Sequence, residues 1–168
     1  MLIFLIGLPG SGKTTLGKII ANKLNYVFLD TDDLICQQEN RSIDEIFDQK
    51  GEGYFRSQET AVLNKVVSEN EHAVVSTGGG LPCFNNNMEV INSAGKSIFL
   101  DVSAEEITRR LLAHNSQNRP MTRGKSPEEV LQFIQHKLKE RRRFYAKASF
   151  IVSSDNIQVE EIINRLSV

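Results

Sequence analysis

The chain has almost no charge imbalance: 20 Lys and Arg stand against 21 Asp and Glu, a formal net charge of −1. Its overall field draws neither nucleic acid nor an anionic membrane, so any anionic ligand must be held by a local cluster of cations. Cysteine is scarce as well. Cys36 and Cys83 lie far apart in sequence, fit no metal-ligand spacing and, with no export signal, read as reduced thiols in a cytoplasmic protein. Long hydrophobic runs are also missing. The apolar residues 1–6 carry no basic stretch and no small-residue cleavage site, and no run approaches the ~18 apolar residues of a membrane span. With 168 residues, 40% of them hydrophobic and 24% charged, one soluble domain over residues 1–168 is expected.

What is present is an alternation of short apolar runs with longer amphipathic ones. Strands are predicted at residues 2–6, 26–29, 73–76, 97–101 and 150–152. Helices are predicted at about 13–24, 52–70, 85–93, 104–113, 127–146 and 159–166. This pattern predicts an α/β fold, a doubly wound five-stranded parallel sheet with helices on both faces and ligands at the carboxyl ends of the strands. Ser103 with Glu106, and Ser126 with Glu129, have capping-box spacing. Two stretches fit the alternation poorly. Residues 32–53 are polar with a short helical patch at 43–48, and residues 114–125, "HNSQNRPMTRGK", have almost nothing to bury. Plain surface loops would look the same, but long polar loops in a compact domain are often lids or binding elements.

The strongest motif is Gly7-Leu8-Pro9-Gly10-Ser11-Gly12-Lys13-Thr14, which matches G-x-x-x-x-G-K-[ST] between a predicted strand and a predicted helix. In such a loop the glycines let consecutive backbone N–H groups, here from Gly10 to Thr15, converge on phosphate oxygens at a helix N-terminus. Lys13 would reach the β- and γ-phosphates, and the Thr14 hydroxyl would join a Mg²⁺ sphere. A chance glycine-rich turn is the bland alternative, and the strand–motif–helix context argues against it. The chain is expected to bind ATP with Mg²⁺.

Further candidates lie where strands end. Asp30 and Asp32 follow the second strand at i and i+2, suited to water-mediated Mg²⁺ binding or to orienting a hydroxyl acceptor, with helix capping as the plain alternative. "STGGGLP", residues 76–82, leaves the third strand through three glycines. That is entropically costly, so something is expected to lie against the bare backbone. Arg56 stands in "GEGYFRSQE" and Arg141 in "LKERRRFYAKA". Most of the cations around Arg141, including Arg142 and Arg143, read as a solvated helix face. Arg119, in "NRPM", has no core to serve and could neutralise charge developing on a transferred phosphate.

Taken together, these features resemble the shikimate kinases, a family of P-loop kinases of small metabolites, and the similarity runs nearly end to end. The selective signatures are "DTD" at 30–32, "FR" at 55–56, "STGGG" at 76–80, "RP" at 119–120 and "ER…Y" at Glu140-Arg141…Tyr145. The resemblance implies a P-loop NTPase fold of the nucleoside monophosphate kinase-like type. It also implies Mg-dependent transfer of the ATP γ-phosphate to the 3-hydroxyl of shikimate, a step of chorismate and aromatic amino acid biosynthesis.

Residue by residue, it implies that Gly78, Gly79 and Gly80 line the shikimate pocket, with Gly79 the direct contact. Arg56 and Arg141 would hold the substrate carboxylate, Asp32 the ring hydroxyls, and Asp30 would assist Mg²⁺ through water. Lys13, Asp32 and Arg119 would be the catalytic residues. Arg119 would close over ATP with a lid at 114–125, and residues 32–60 would form a substrate-binding segment. Arg110 matches a position packing against adenine, with Arg109 beside it as the alternative. A cytoplasmic monomer acting on small molecules is expected.

Two positions depart from the family's usual pattern. Arg143-Phe144 stand where Pro-Leu is usual, and the phosphate loop reads "LPGSGKTT" where residues such as Met-Gly-Ala are common. Another small-molecule kinase of the same fold, such as a gluconate kinase, is the alternative. A guanine-dependent switch is a poor one, because Asn22-Lys23-Leu24-Asn25 lacks the base-reading Asp and falls on the first helix.

Overall fold

The computed structural model describes residues 1–113 and 124–166. Strand β1 (Leu2–Ile6) is apolar at every position because both of its faces are covered: Leu2, Phe4 and Ile6 join one core, Ile3 and Leu5 the other. After it come α1 (Lys13–Leu24), β2 (Val27–Asp30), α2 (Thr31–Glu39), α3 (Ile43–Glu69) and β3 (Ala73–Ser76). A 3₁₀ turn at Leu81–Cys83 leads to α4 (Asn87–Ala94), β4 (Gly95–Asp101), α5 (Ala104–Ala113), α6 (Pro127–Tyr145), β5 (Phe150–Ser153) and α7 (Val159–Leu166). The strand order is β2-β3-β1-β4-β5 and every pairing is parallel. Helices α1 and α7 cover one face through Ile20, Ala21, Val159 and Ile162, while α2 to α6 cover the other.

The predicted α/β class and the five strands are therefore present. β1 lies between β3 and β4, where the strand order reverses, and a crevice opens there at the carboxyl ends of the strands. Lengthwise, β1 pairs Leu5 with Ser76 of β3 and Ile6 with Phe99 of β4, so the loops after these strands emerge side by side.

The main departure is in residues 32–53, expected to be largely loop. α2 begins at once after β2, because the Asp30 side chain accepts from the Asp32 N–H and caps it. It buries little beyond Thr31 and Ile35, and that sparse apolar face hid the helix. The expected patch at 43–48 is the start of α3, fixed by a full Ser42–Glu45 capping box. Gly51, at φ 80° and ψ 170°, breaks helical geometry inside α3, which separates the patch from the long segment carrying Arg56. The Ser126–Glu129 box is complete. Only half of the Ser103–Glu106 box forms: the Ser103 hydroxyl accepts from the Glu106 N–H, but the Ser103 N–H donates to Asp155.

Candidate active site

The phosphate loop links β1 to α1. Gly10 and Gly12 take left-handed φ values of 88° and 98°, conformations that side chains rarely adopt. Helix α1 starts at Gly12 with no capping side chain and no acid in its first turn, so its N-terminal N–H groups remain free for an anion. Lys13 lies among them with its ammonium donating to the Gly7 and Leu8 carbonyls at 2.9 Å each. Burial lowers its pKa to about 8. The Ser11 Oγ is buried with no hydrogen-bond partner among the described residues. The loop thus offers a lysine, an unspent hydroxyl and free amides in one cradle, and these fit a polyphosphate. Residues from Gly10 to Thr15 line a cavity of about 740 Å³ together with Asp30, Asp32, Thr77, Gly79, Arg109 and Arg110.

Asp30 divides its oxygens between two tasks. One accepts from the Asp32 N–H at 3.1 Å, and the other accepts from the Thr14 hydroxyl at 3.1 Å. Capping and a polar pairing with Thr14 therefore coexist. Among the described residues no group of three or more His, Cys, Asp and Glu could hold a metal ion. A Thr hydroxyl and one carboxylate suit Mg²⁺, which keeps several waters and takes its other ligands from phosphate.

The three glycines after β3 find their reason in the site's own side chains. A Cβ at Gly78 would stand inside 3.0 Å of Asp32 and at 3.0 Å from Glu59; one at Gly79 would meet Pro9 at 2.9 Å and Arg141 at 3.1 Å; one at Gly80 would overlap Arg56. Each glycine makes room for a different charged group. The strip is pinned at several points: the Gly78 N–H donates to the Thr31 hydroxyl at 2.8 Å, Thr77 donates to the Leu5 carbonyl, and the Tyr145 hydroxyl donates to the Gly79 carbonyl. Tyr145 is fully buried and packs on Phe99 with ring centroids 5.1 Å apart, which sets the register of α6 against the sheet.

Around this strip the expected acceptor residues come together. Arg56 donates to Glu59 at 2.6 Å and, through two nitrogens, to Glu52 at 3.2 and 3.0 Å. Arg141 pairs with no carboxylate among the described residues, and its side chain meets the Tyr145 hydroxyl beside Gly79. The Asp32 Oδ1 is buried without a partner among the described residues, and burial, reinforced by Asp30, raises the Asp32 pKa to about 6. A carboxyl so placed can accept a proton from a hydroxyl near neutral pH.

Three features escaped the sequence reading. Glu59 is 1% exposed, with its pKa raised to about 7 by burial, and anchors Arg56; its position three residues after Arg56 on a helix was a usable signal. Asp155, Asn156 and Ile157, after β5, line the nucleotide cavity; their place beyond the carboxyl end of a strand was the signal there. Arg142, expected to be a solvated residue, forms a two-pronged pair with Asp101 at 2.9 and 2.6 Å, and Asp101 also accepts from Ser153. Arg142 therefore ties α6 to the ends of β4 and β5. Among the described residues Arg143 meets the neighbouring Phe144 ring, at 4.8 Å.

Arg109 and Arg110 both line the cavity but bond differently. Arg110 donates to the Gly10 and Ser11 carbonyls at 3.4 and 3.3 Å and to the Asp155 carbonyl at 2.7 Å; both arginines pair with Glu106, and among the described residues Arg109 has no other hydrogen-bond partner. Arg119 and residues 114–123 of the expected lid lie outside the described residues.

The shikimate kinase family model matches residues 9–167. Shikimate kinase of Azobacteroides pseudotrichonymphae is 42% identical over 164 residues, covering 98% of this chain and 96% of the relative. A crystal structure of shikimate kinase from Bacteroides thetaiotaomicron superposes with a TM-score of 0.91 at 42% identity, over 99% of this chain and 96% of that one. Shikimate kinase from Acinetobacter baumannii in complex with shikimate gives 0.84 at 30% identity, over 99% and 90%. With the phosphate loop, the glycine strip and both arginines placed as above, this chain belongs to the shikimate kinase family.

Proposed function

We propose that the chain transfers the γ-phosphate of ATP to the 3-hydroxyl of shikimate, giving shikimate 3-phosphate and ADP. The observation that carries this is the glycine strip 78–80, flanked by Asp32, Glu59, Arg141 and Arg56 and opening on the phosphate loop at Gly79. A pocket with two arginines on one side and an unpartnered carboxyl on the other suits a small hydroxy acid. The relative from Acinetobacter baumannii, solved in complex with shikimate, supports that choice.

In this reading Lys13, Ser11 and the amides of residues 10–15 hold the phosphates, and Thr14 and Asp30 hold Mg²⁺, which neutralises charge on them. Arg141 and Arg56 fix the acceptor through its carboxylate, each charge-assisted hydrogen bond contributing about 1.5–3 kcal/mol. Asp32 aligns the acceptor hydroxyl and takes its proton. Arg110 braces the phosphate loop beside the adenine side of the cavity. Arg119 acts on the transferring phosphate from the segment 114–125. The enzyme is proposed to act as a cytoplasmic monomer without nucleic acid or membrane.

The test is ADP release with Mg·ATP across a panel of hydroxy acids. Saturable turnover of shikimate is expected, and turnover of gluconate with none of shikimate overturns the proposal.

A further inference from the structure

Arg56 is held by more than its two carboxylates. Phe84 places its ring 4.2 Å from the Arg56 guanidinium carbon, closer than the rings of Phe55 (5.4 Å) or Phe47 (5.9 Å). Phe84 is 37% exposed and belongs to neither apolar core, so its ring is not spent on packing the interior.

The chain around Phe84 is shaped to deliver it. After the 3₁₀ turn, Phe84 is extended, and Asn85 and Asn86 follow in left-handed conformations with φ values of 51° and 55°. Asn tolerates that region better than most residues, yet two in succession reverse the chain sharply. The Asn85 amide donates to the Arg56 carbonyl at 3.3 Å and to the Thr60 hydroxyl at 3.0 Å, fastening the turn to α3 at Arg56 itself. The Asn87 N–H donates to the Phe84 carbonyl at 2.9 Å, and the Asn87 side chain donates to the Leu81 carbonyl at 3.0 Å. The loop that begins with the glycine strip thus ends as a strap over Arg56.

We propose that Phe84 is a positioning residue for the acceptor: stacked on Arg56 and strapped to α3 by Asn85, it holds the guanidinium against Gly80 with its edge turned to the substrate carboxylate. Gly80 backbone, the Phe84 ring and the two carboxylates restrict the guanidinium, so Arg56 loses little freedom when a ligand arrives. Phe84 meets neither the phosphate loop nor the nucleotide cavity. Its contribution belongs to acceptor binding. The inference rests on Arg56 binding the acceptor carboxylate.

Steady-state kinetics of Phe84→Leu, Phe84→Tyr and Arg56→Ala test it, with thermal midpoints measured for each. Phe84→Leu keeps apolar bulk but loses the π face, and is expected to raise the shikimate KM about three- to tenfold. Its ATP KM stays unchanged, and Phe84→Tyr restores the wild-type shikimate KM. A wild-type shikimate KM in Phe84→Leu overturns the proposal, as does an equal rise in both Phe84 variants. If Arg56→Ala leaves the shikimate KM unaltered, the carboxylate reading fails, and this inference with it. A ring-current shift of the Arg56 guanidinium resonance, identified by its loss in Arg56→Lys, supplies an independent measurement in the wild-type protein. Absence of that shift also overturns the proposal.

Discussion

The Arg56 guanidinium occupies the space in which a side chain at Gly80 would stand: a Cβ there would meet three of its atoms at 3.0 Å or less. Gly80 has φ −87°, which any residue can adopt, so its need is room and not conformational freedom. In Gly80→Ala the Arg56 guanidinium must shift within its seat of Glu59, Glu52 and Phe84. The shift costs Arg56 its alignment, and the loss of one charge-assisted hydrogen bond predicts a shikimate KM roughly ten- to hundredfold higher. The ATP KM should stay near wild type. Gly79→Ala should damage both constants, because its Cβ would press on the ring of Pro9 inside the phosphate loop. Equal and small effects in both variants would contradict this division.

How much of this could be read from the chain alone depends on where each signal lies. Sequence-local patterns survived well. β1 is uniformly apolar because it is central, and the phosphate loop carries its glycines and lysine in one run. The Ser42–Glu45 capping box is equally local and marks the start of α3. α2 was obscure for a physical reason, since it buries little and owes its start to a cap supplied by Asp30. The purpose of the glycine strip could not be read in full. Asp32, Glu59, Arg141 and Arg56 come from α2, α3 and α6, and only the fold brings them against residues 78–80. The Arg142–Asp101 pair joins residues 41 positions apart, and nothing in "ERRRF" says which arginine is spoken for.

Arg142 and Arg143 should separate on substitution. Asp101 is 9% exposed and takes two bonds from Arg142, whose own side chain is 58% exposed. Arg142→Ala leaves a desolvated carboxylate with Ser153 as its remaining partner among the described residues, and after discounting for the exposed Arg142 a loss of about 1 kcal/mol is expected. Arg143→Ala should stay within about 0.5 kcal/mol of wild type. Urea midpoints decide it, and equal midpoints for the two variants would show that the pair contributes nothing.

Arg110 and Arg109 give a second contrast, this time in nucleotide binding. Hydrogen bonds from Arg109 and Arg110 hold the Glu106 pKa down to about 2, so Glu106 stays ionised and keeps Arg110 aimed at the phosphate loop. Arg110→Ala removes the link from α5 to the Gly10, Ser11 and Asp155 carbonyls. The expected result is an ATP KM raised about tenfold, given about 1.5 kcal/mol for a hydrogen bond to a charged group. The shikimate KM should be unchanged. Arg109 is 68% exposed, and Arg109→Ala should leave both constants alone. A raised ATP KM in Arg109→Ala instead would reassign the role.

Glu59 predicts a pH dependence of both stability and acceptor binding. Burial raises its pKa from 4.5 to about 7, against the opposing pull of Arg56. The folded protein therefore holds this proton more tightly than the unfolded chain does between those two values. Glu59 favours folding most below about pH 4.5, and that contribution declines as pH rises to about 7, by at most on the order of 3 kcal/mol. Relative to Glu59→Gln, which cannot titrate, the wild type should lose stability across this window. Binding runs the other way. Above about pH 7 the ionised Glu59 anchors Arg56 at 2.6 Å, and protonation below that pH removes the anion. The shikimate KM of the wild type should rise as pH falls through about 7. Asp32 lies close by and titrates near 6, so the comparison that isolates Glu59 is the ratio of wild-type to Glu59→Gln KM across the range. A ratio independent of pH would mean that the Glu59 charge does not govern Arg56.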